Sequence, residues 1–250
     1  MSSSFIWCRR LRLLERRTVW CPTLLGWFCF VLLLVIPSAW WLLCGESFLS
    51  STRRLPAEVL VVESWIGYAG IRAAAKEFKQ HDYQYVVTTG GLTDERWSDH
   101  RWSYPEMAER ELLRSGVPGE KIIVAPARDT QRQRTYESAV AVFQALHARG
   151  IRPDALNVFT LGPHTGRSRL VFAKVHQPET KVGAVDWTPS GDQGLSWWQS
   201  SKRAKEFMTE TAAYGYELLL NSGRLSNSAS ADASADIVQH SPARASAATP

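Results

Sequence analysis

Hydrophobic positions fall into three regimes along the 250 residues. From Val19 to Cys44 runs VWCPTLLGWFCFVLLLVIPSAWWLLC, twenty-six residues without a charge. Between residues 57 and 221 short apolar runs alternate with segments of helical spacing. From Ser222 onward the chain is dominated by Ser and Ala, with no period able to bury a face. These regimes predict a basic N-terminal segment (1–18), a transmembrane helix (19–44), a linker (45–56), one folded domain (57–221) and a disordered tail (222–250).

Inside the domain, AEVLVV (57–62), QYVVT (84–88), KIIVA (121–125), ALNVFTL (155–161) and KVGAVD (181–186) read as strands. Between them lie helical spacings such as Tyr136, Ala139, Val140, Phe143 and Leu146 before Gly150, and a last helix is expected from Ser196 to Leu220. Parallel neighbours need crossover connections, and right-handed ones dominate, so this alternation predicts a mostly parallel sheet of about five strands with helices on both faces. The expected fold class is α/β, doubly wound and Rossmann-like.

The apolar run exceeds the roughly 20 residues that cross a hydrocarbon core of about 30 Å. Pro22 sits where a first helical turn tolerates it, and Pro37 predicts a kink or an end within the span. Five arginines (Arg9, Arg10, Arg12, Arg16, Arg17) against Glu15 precede the run, whereas Arg53 and Arg54 follow it. That bias predicts a cytoplasmic N-terminus with the rest of the chain across the membrane, which for a bacterial chain is the inner membrane with the domain in the periplasm or outside the cell. A cleaved signal peptide is the rival reading; the run is long for one, and the bulky Leu43 before Cys44 spoils a lipoprotein box.

The arginine cluster also changes the meaning of the net charge of +5, because it supplies +4 of it. The remainder is no footprint for nucleic acid. All four cysteines (Cys8, Cys21, Cys29, Cys44) lie in or beside the apolar run, so the domain has neither a disulfide framework nor a CxxC metal site.

Open parallel sheets bind ligands beyond the carboxyl ends of their strands. The segments that follow the strands are Glu63-Ser64-Trp65, Thr89-Gly90-Gly91, Arg128-Asp129, Gly162 to Arg169, and Asp186-Trp187. Thr89-Gly90-Gly91 fits a tight turn as well as a phosphate cradle. Thr130-Gln131-Arg132-Gln133 fits a capping box. Glu137, on a helix face, is ordinarily solvated, and Trp197-Trp198 suit packing or a lid. In TLGPHTGRSR (160–169) a helix starting near Thr165 would aim free N–H groups at an anion, joined by His164, Arg167 and Arg169. At a strand's carboxyl end this turn reads as a site, although a surface turn has the same composition.

Several motifs in order carry a family resemblance: VVTTGG (86–91), GVPGEKIIV (116–124), RTYESA (134–139) and TLGPHTGRS (160–168). With them the region 57–220 resembles the SanA/ElyC/YdcF-like proteins. The resemblance carries Gly90, Gly91, Thr135, Tyr136, Glu137, His164 and Arg167, with Glu106 a further alignment. The chain departs from the family pattern at Glu63-Ser64-Trp65-Ile66-Gly67, where many members have a glycine-rich turn, and at Arg134, where they have Asn. The resemblance implies a Rossmann-like domain, often on one membrane anchor, linked to envelope integrity and to lipid-carried precursors of peptidoglycan or surface polysaccharide. One type of member binds S-adenosylmethionine.

Three functions stay open on these residues. The first is binding of a phosphorylated or lipid-linked envelope precursor, with Glu63 or Glu137 and His164 as acid and base if the site also catalyses. The ligand set is then Thr89, Gly90, Gly91, Thr135, Tyr136, Gly162, Arg167 and Arg169. The second is binding of S-adenosylmethionine or a nucleotide-like molecule, against which stands the missing G-x-G-x-x-G. The third is a non-catalytic scaffold. No cofactor and no protein partner is identified.

Overall fold

Every residue of the first strand, VLVVE, is buried, which requires cover on both faces of the sheet. A computed structural model, describing residues 22–92, 103–130 and 132–220, supplies that cover. Its elements are α1 (Leu24–Leu49), β1 (Val59–Glu63), α2 (Gly67–Gln80), β2 (Tyr85–Gly90), α3 (Tyr104–Arg114) and β3 (Ile122–Pro126). They continue with α4 (Arg134–Ala148), β4 (Ala155–Leu161), α5 (His164–His176), β5 (Lys181–Trp187) and α6 (Ser201–Leu219). The five described strands are all parallel, in the order β3-β2-β1-β4-β5. The fold is the doubly wound, Rossmann-like α/β arrangement.

Alternation along β1 divides the core. Leu60 and Val62 pack with Ile71, Phe78 and Leu112 of α2 and α3 on one face. Val59 and Val61 pack with Val142, Leu146 and Phe172 of α4 and α5 on the other. The strand order reverses at β1, which has β2 on one side and β4 on the other. Ligands of open α/β sheets bind at such a switch point.

Helix α1 is long and apolar enough to cross a membrane, and its window of greatest hydropathy is almost entirely unburied, unlike the core helix of a soluble domain. Residues up to Leu42 form a unit separate from the domain. The helix runs to Leu49, beyond the expected end of the span at Cys44. The expected basic segment 1–18 and tail 222–250 lie outside the described residues.

The segment expected as a linker, 45–56, is built into the domain. Leu49 is fully buried. The N–H of Arg53 donates to Ala184 O (2.8 Å), and the N–H of Ala184 returns to Arg53 O (3.0 Å). Buried Asn157 on β4 accepts from Leu55 N–H (2.9 Å) and donates to Leu55 O (2.8 Å), while Arg54 grips Glu77 through two bonds of 2.7 and 2.9 Å. A side-chain amide that mimics a backbone partner satisfies the segment where strand pairing ends. These ties have no periodicity, which is why hydropathy alone gives a linker.

Two helix starts also differ from expectation. The last helix breaks at Ser200, whose backbone is extended; a short turn at Trp197–Gln199 with its own Ser196–Gln199 capping box precedes α6. The Thr130–Gln133 capping box does not form. Thr130 Oγ1 instead accepts from Arg132 N–H (3.1 Å), and Gln133 enters α4 with a left-handed φ of 54°.

Gly183 permits the Asn157 clasp, since a Cβ there would lie 2.0 Å from Asn157 Oδ1 and 2.7 Å from Arg53 O. Gly183→Ala is expected to displace residues 53–55 and to cost about 1–3 kcal/mol, as overpacking does. A lowered thermal midpoint of the full chain in detergent would register this, and an unchanged midpoint would contradict the clasp.

Candidate functional site

β1 is the central strand, and its last residue, Glu63, is left at the sheet's carboxyl edge with 2% exposure. Next to it, β4 ends at Leu161, and Gly162 turns the chain with a φ of +49°, a conformation glycine adopts without strain. Pro163 then starts α5, so His164 and Arg167 fall one turn apart at its N-terminal end. α6 lies along α5 and brings Glu210 to both.

The four side chains form one buried cluster. Arg167 donates from Nε to Glu210 Oε2 (2.7 Å), from one terminal nitrogen to Glu210 Oε1 (3.0 Å) and from the other to Thr135 Oγ1 (3.0 Å). His164 Nδ1 lies 3.0 Å from Glu210 Oε1, and His164 Nε2 lies 3.4 Å from Glu63 Oε2. Ser168 donates its hydroxyl to the same Glu63 oxygen (2.7 Å). The Glu63 contact brings charges together without hydrogen-bond alignment, so the buried Nε2 keeps no bonded partner.

The charges of the cluster shift one another's pKa values. Burial opposes a charge on His164, but Glu63 and Glu210 outweigh burial and Arg167, and its pKa is pushed up to about 9. Burial likewise opposes the charge of Glu210, and His164 with Arg167 overcomes it, bringing its pKa down to about 2. For Glu63 burial is again outweighed, chiefly by the charge of His164, so that its pKa is lowered. These shifts favour the charged forms of all four groups, whose charges cancel. Nδ1 meets both Glu210 Oε1 (3.0 Å) and a terminal nitrogen of Arg167 (2.9 Å), which fixes the ring and turns Nε2 toward Glu63.

This cluster borders a cleft of about 510 Å³ at the switch point. Of the residues anticipated from sequence, Glu63, Gly90, Gly91, Thr135, His164 and Arg167 line it. Arg128, Asp129 and Arg134 come from the β3–α4 connection, and Trp65 from the turn after β1 packs perpendicular to the His164 ring, 5.0 Å away.

Other candidates are placed elsewhere. Thr89 is buried behind the cleft and donates to Ser138 O (3.3 Å); Tyr136 is buried within α4. Glu137, the alternative acid or base, is half-buried on α4 and does not border the cleft, and Glu106 is exposed on α3. Gly162 shapes the turn rather than the wall. Arg169 points to β5, where Nε donates to Val182 O (3.3 Å). Two residues on from Arg167, it emerges on a different face of the helix. Trp197 packs on Phe207, and Trp198 is exposed; neither borders the cleft.

Sequence reasoning missed Glu210 and Ser168. A signal for Glu210 existed: Phe207, Glu210 and Glu217 recur at three and seven residues, so the period that buries Phe207 also turns two carboxylates inward. Glu217 is held by Lys174 through a 3.0 Å ion pair.

No protein-family model matches the chain, and no curated protein matches it.

The cluster makes stability depend on pH in two directions. His164, raised from about 6.5 unfolded to about 9, contributes fully below pH 6.5, and its contribution is lost as pH rises through 9. Glu210, depressed to about 2, contributes fully above its ordinary value near 4.5 and loses this as pH falls through 2. The cluster's share of stability should therefore be greatest between about pH 4.5 and 6.5. Arg167→Leu, which strands Glu210, should cost roughly 3–5 kcal/mol. Denaturant unfolding across this pH range tests both expectations, and a flat profile would contradict the charge assignment.

Proposed function

We propose that this chain is a single-pass, membrane-anchored envelope protein whose cleft binds a phosphorylated or lipid-linked precursor of peptidoglycan or surface polysaccharide. The N-terminus lies in the cytoplasm and the domain on the far side of the inner membrane, following the arginine bias around the span. The reading belongs with the resemblance to SanA/ElyC/YdcF-like proteins carried by VVTTGG, RTYESA and TLGPHTGRS.

The observation that carries it is the unpartnered Nε2 of a charged, buried His164 beside a cleft at the sheet's switch point. Glu63 Oε2 compensates its charge from 3.4 Å but without hydrogen-bond alignment, and a ligand oxygen that reached Nε2 would supply the aligned acceptor it lacks. The exposed Arg128, with Arg134 beside it, adds positive charge at the opening, and the backbone at Gly90-Gly91 has no Cβ to keep a phosphate away. Arg167, by contrast, spends its donors on Glu210 and Thr135, so it holds the cluster and not the ligand. This shifts the anion contact from the α5 arginines to the rim.

Calorimetry of the full chain in detergent, titrated with farnesyl phosphate, inorganic phosphate and S-adenosylmethionine, tests the reading. Farnesyl phosphate should bind, more weakly as salt rises, and Arg128→Ala with Arg134→Ala should weaken it about tenfold or more. Heat from S-adenosylmethionine alone would replace this reading with the nucleotide-like one, and no heat from any probe would remove it.

A further inference from the structure

Leu195 and Trp198 are exposed by 41% and 55%, on a turn that spends most of its backbone donors internally. The N–H of Leu195 donates to Asp192 O (3.4 Å), that of Ser196 to Gln199 Oε1 (2.7 Å), that of Trp197 to Glu46 Oε2 (3.0 Å) and that of Gln199 to Ser196 O (3.0 Å). Beneath the turn, Trp197 packs on the fully buried Phe207 with ring centroids 4.8 Å apart, and Trp198 stands edge-on to Trp197 at 5.6 Å. Two large apolar side chains are thus displayed on a braced turn whose N–H groups are largely paired. That combination suits a medium poor in hydrogen-bond partners.

The bond to Glu46 fixes where the turn lies along the chain's path to the membrane. From Leu24 to Cys44 the rise of α1 is about 30 Å, the thickness of a hydrocarbon core. Glu46, the first charge after the apolar run, follows Cys44 by about 3 Å of rise. When α1 crosses a bilayer, this carboxylate therefore falls in the headgroup layer, which adds roughly 5–7 Å on each side. One hydrogen bond from Trp197 and another from Arg203 hold the turn and the start of α6 to it.

We propose, resting on the reading of α1 as a membrane span, that the Leu195–Trp198 turn is a second membrane contact, with Leu195 and Trp198 seated in the headgroup layer of the bilayer that α1 crosses. Tryptophan suits that layer because its ring is apolar and its indole N–H finds a partner there. Attraction to anionic lipid is not the source of the contact. Lys202, Arg203 and Lys205 are matched in number by Glu46, Asp192 and Glu206, and Lys202 and Arg203 pair with members of that set. A single helix leaves a domain free to swivel about it, whereas a second contact holds it in one orientation toward the lipid.

The test uses the full chain in phosphatidylcholine nanodiscs, carrying a nitroxide on Leu195→Cys, Trp198→Cys or Arg149→Cys after Cys8, Cys21, Cys29 and Cys44 are changed to Ser. A fourth sample keeps Cys29 for the label. At Leu195→Cys and Trp198→Cys, oxygen should reach the label better than a water-soluble nickel chelate does. At Arg149→Cys, exposed just after α4, the order should reverse. Added phosphatidylglycerol or salt should leave the depth unchanged, because the charges cancel. A Trp198→Cys label as accessible to nickel as that at Arg149→Cys overturns the proposal. So does one shielded from both reagents, which would mean a protein cover such as a second copy. Cys29 separates the causes of failure: a deep label there with an aqueous Trp198→Cys refutes the contact alone, and an aqueous label at both refutes the span together with the contact. If the labelled variants do not fold, the unmutated chain decides against Trp198→Phe. Lipid brominated near the headgroup end of its chains should quench the part of the emission that Trp198→Phe removes, and an unquenched difference overturns the proposal.

Discussion

Two carboxylates cannot be buried at the end of a parallel sheet unless cations are buried with them. Glu63 closes the central strand and Glu210 comes from the last helix, and each is stable as an anion only because His164 and Arg167 stand between them. Desolvating an ion costs several kcal/mol, and leaving one partner alone costs more than the pair returns. The cluster therefore ties together β1, α5 and α6, elements far apart in the chain. It helps to hold α6 against α5 and forms part of the cleft wall.

The same arrangement explains an asymmetry among the arginines of α5. Arg167 and Arg169 differ by two positions, and the helix turns about 100° per residue, so only one of them can face Glu210. Arg167 does so and is consumed in holding the cluster. Arg169 serves β5 instead. Arg128, by contrast, is exposed at the rim of the cleft.

α6 has a second hold. Glu46, near the end of α1, accepts from Arg203 and from the Trp197 N–H (3.0 Å), and Arg203 also donates to Asp192 O. Together with Asn157 and its clasp on Leu55, these bonds make residues 45–56 part of the folded unit. These polar ties follow no repeating pattern, because each is a single pair between residues 11 to 157 positions apart.

Local patterns alone determined the strand–helix alternation, the parallel sheet, the apolar helix and the carboxyl edge as the place where the candidate residues gather. Each of these follows from periodicity of burial or from chain connectivity, and both are written residue by residue. Glu63, Gly90, Gly91, Thr135, His164 and Arg167 were legible for that reason: they follow strands or open helices at the edge. Tertiary structure decided the partners. It alone brought Glu210 against His164 across 46 residues and set Glu63 beside Nε2 across 101, turned Arg169 and Glu137 away, and folded the apparent linker onto β5. The physical reason is that charge pairing and desolvation depend on distances between elements, and those distances exist only once the sheet and its helices have packed.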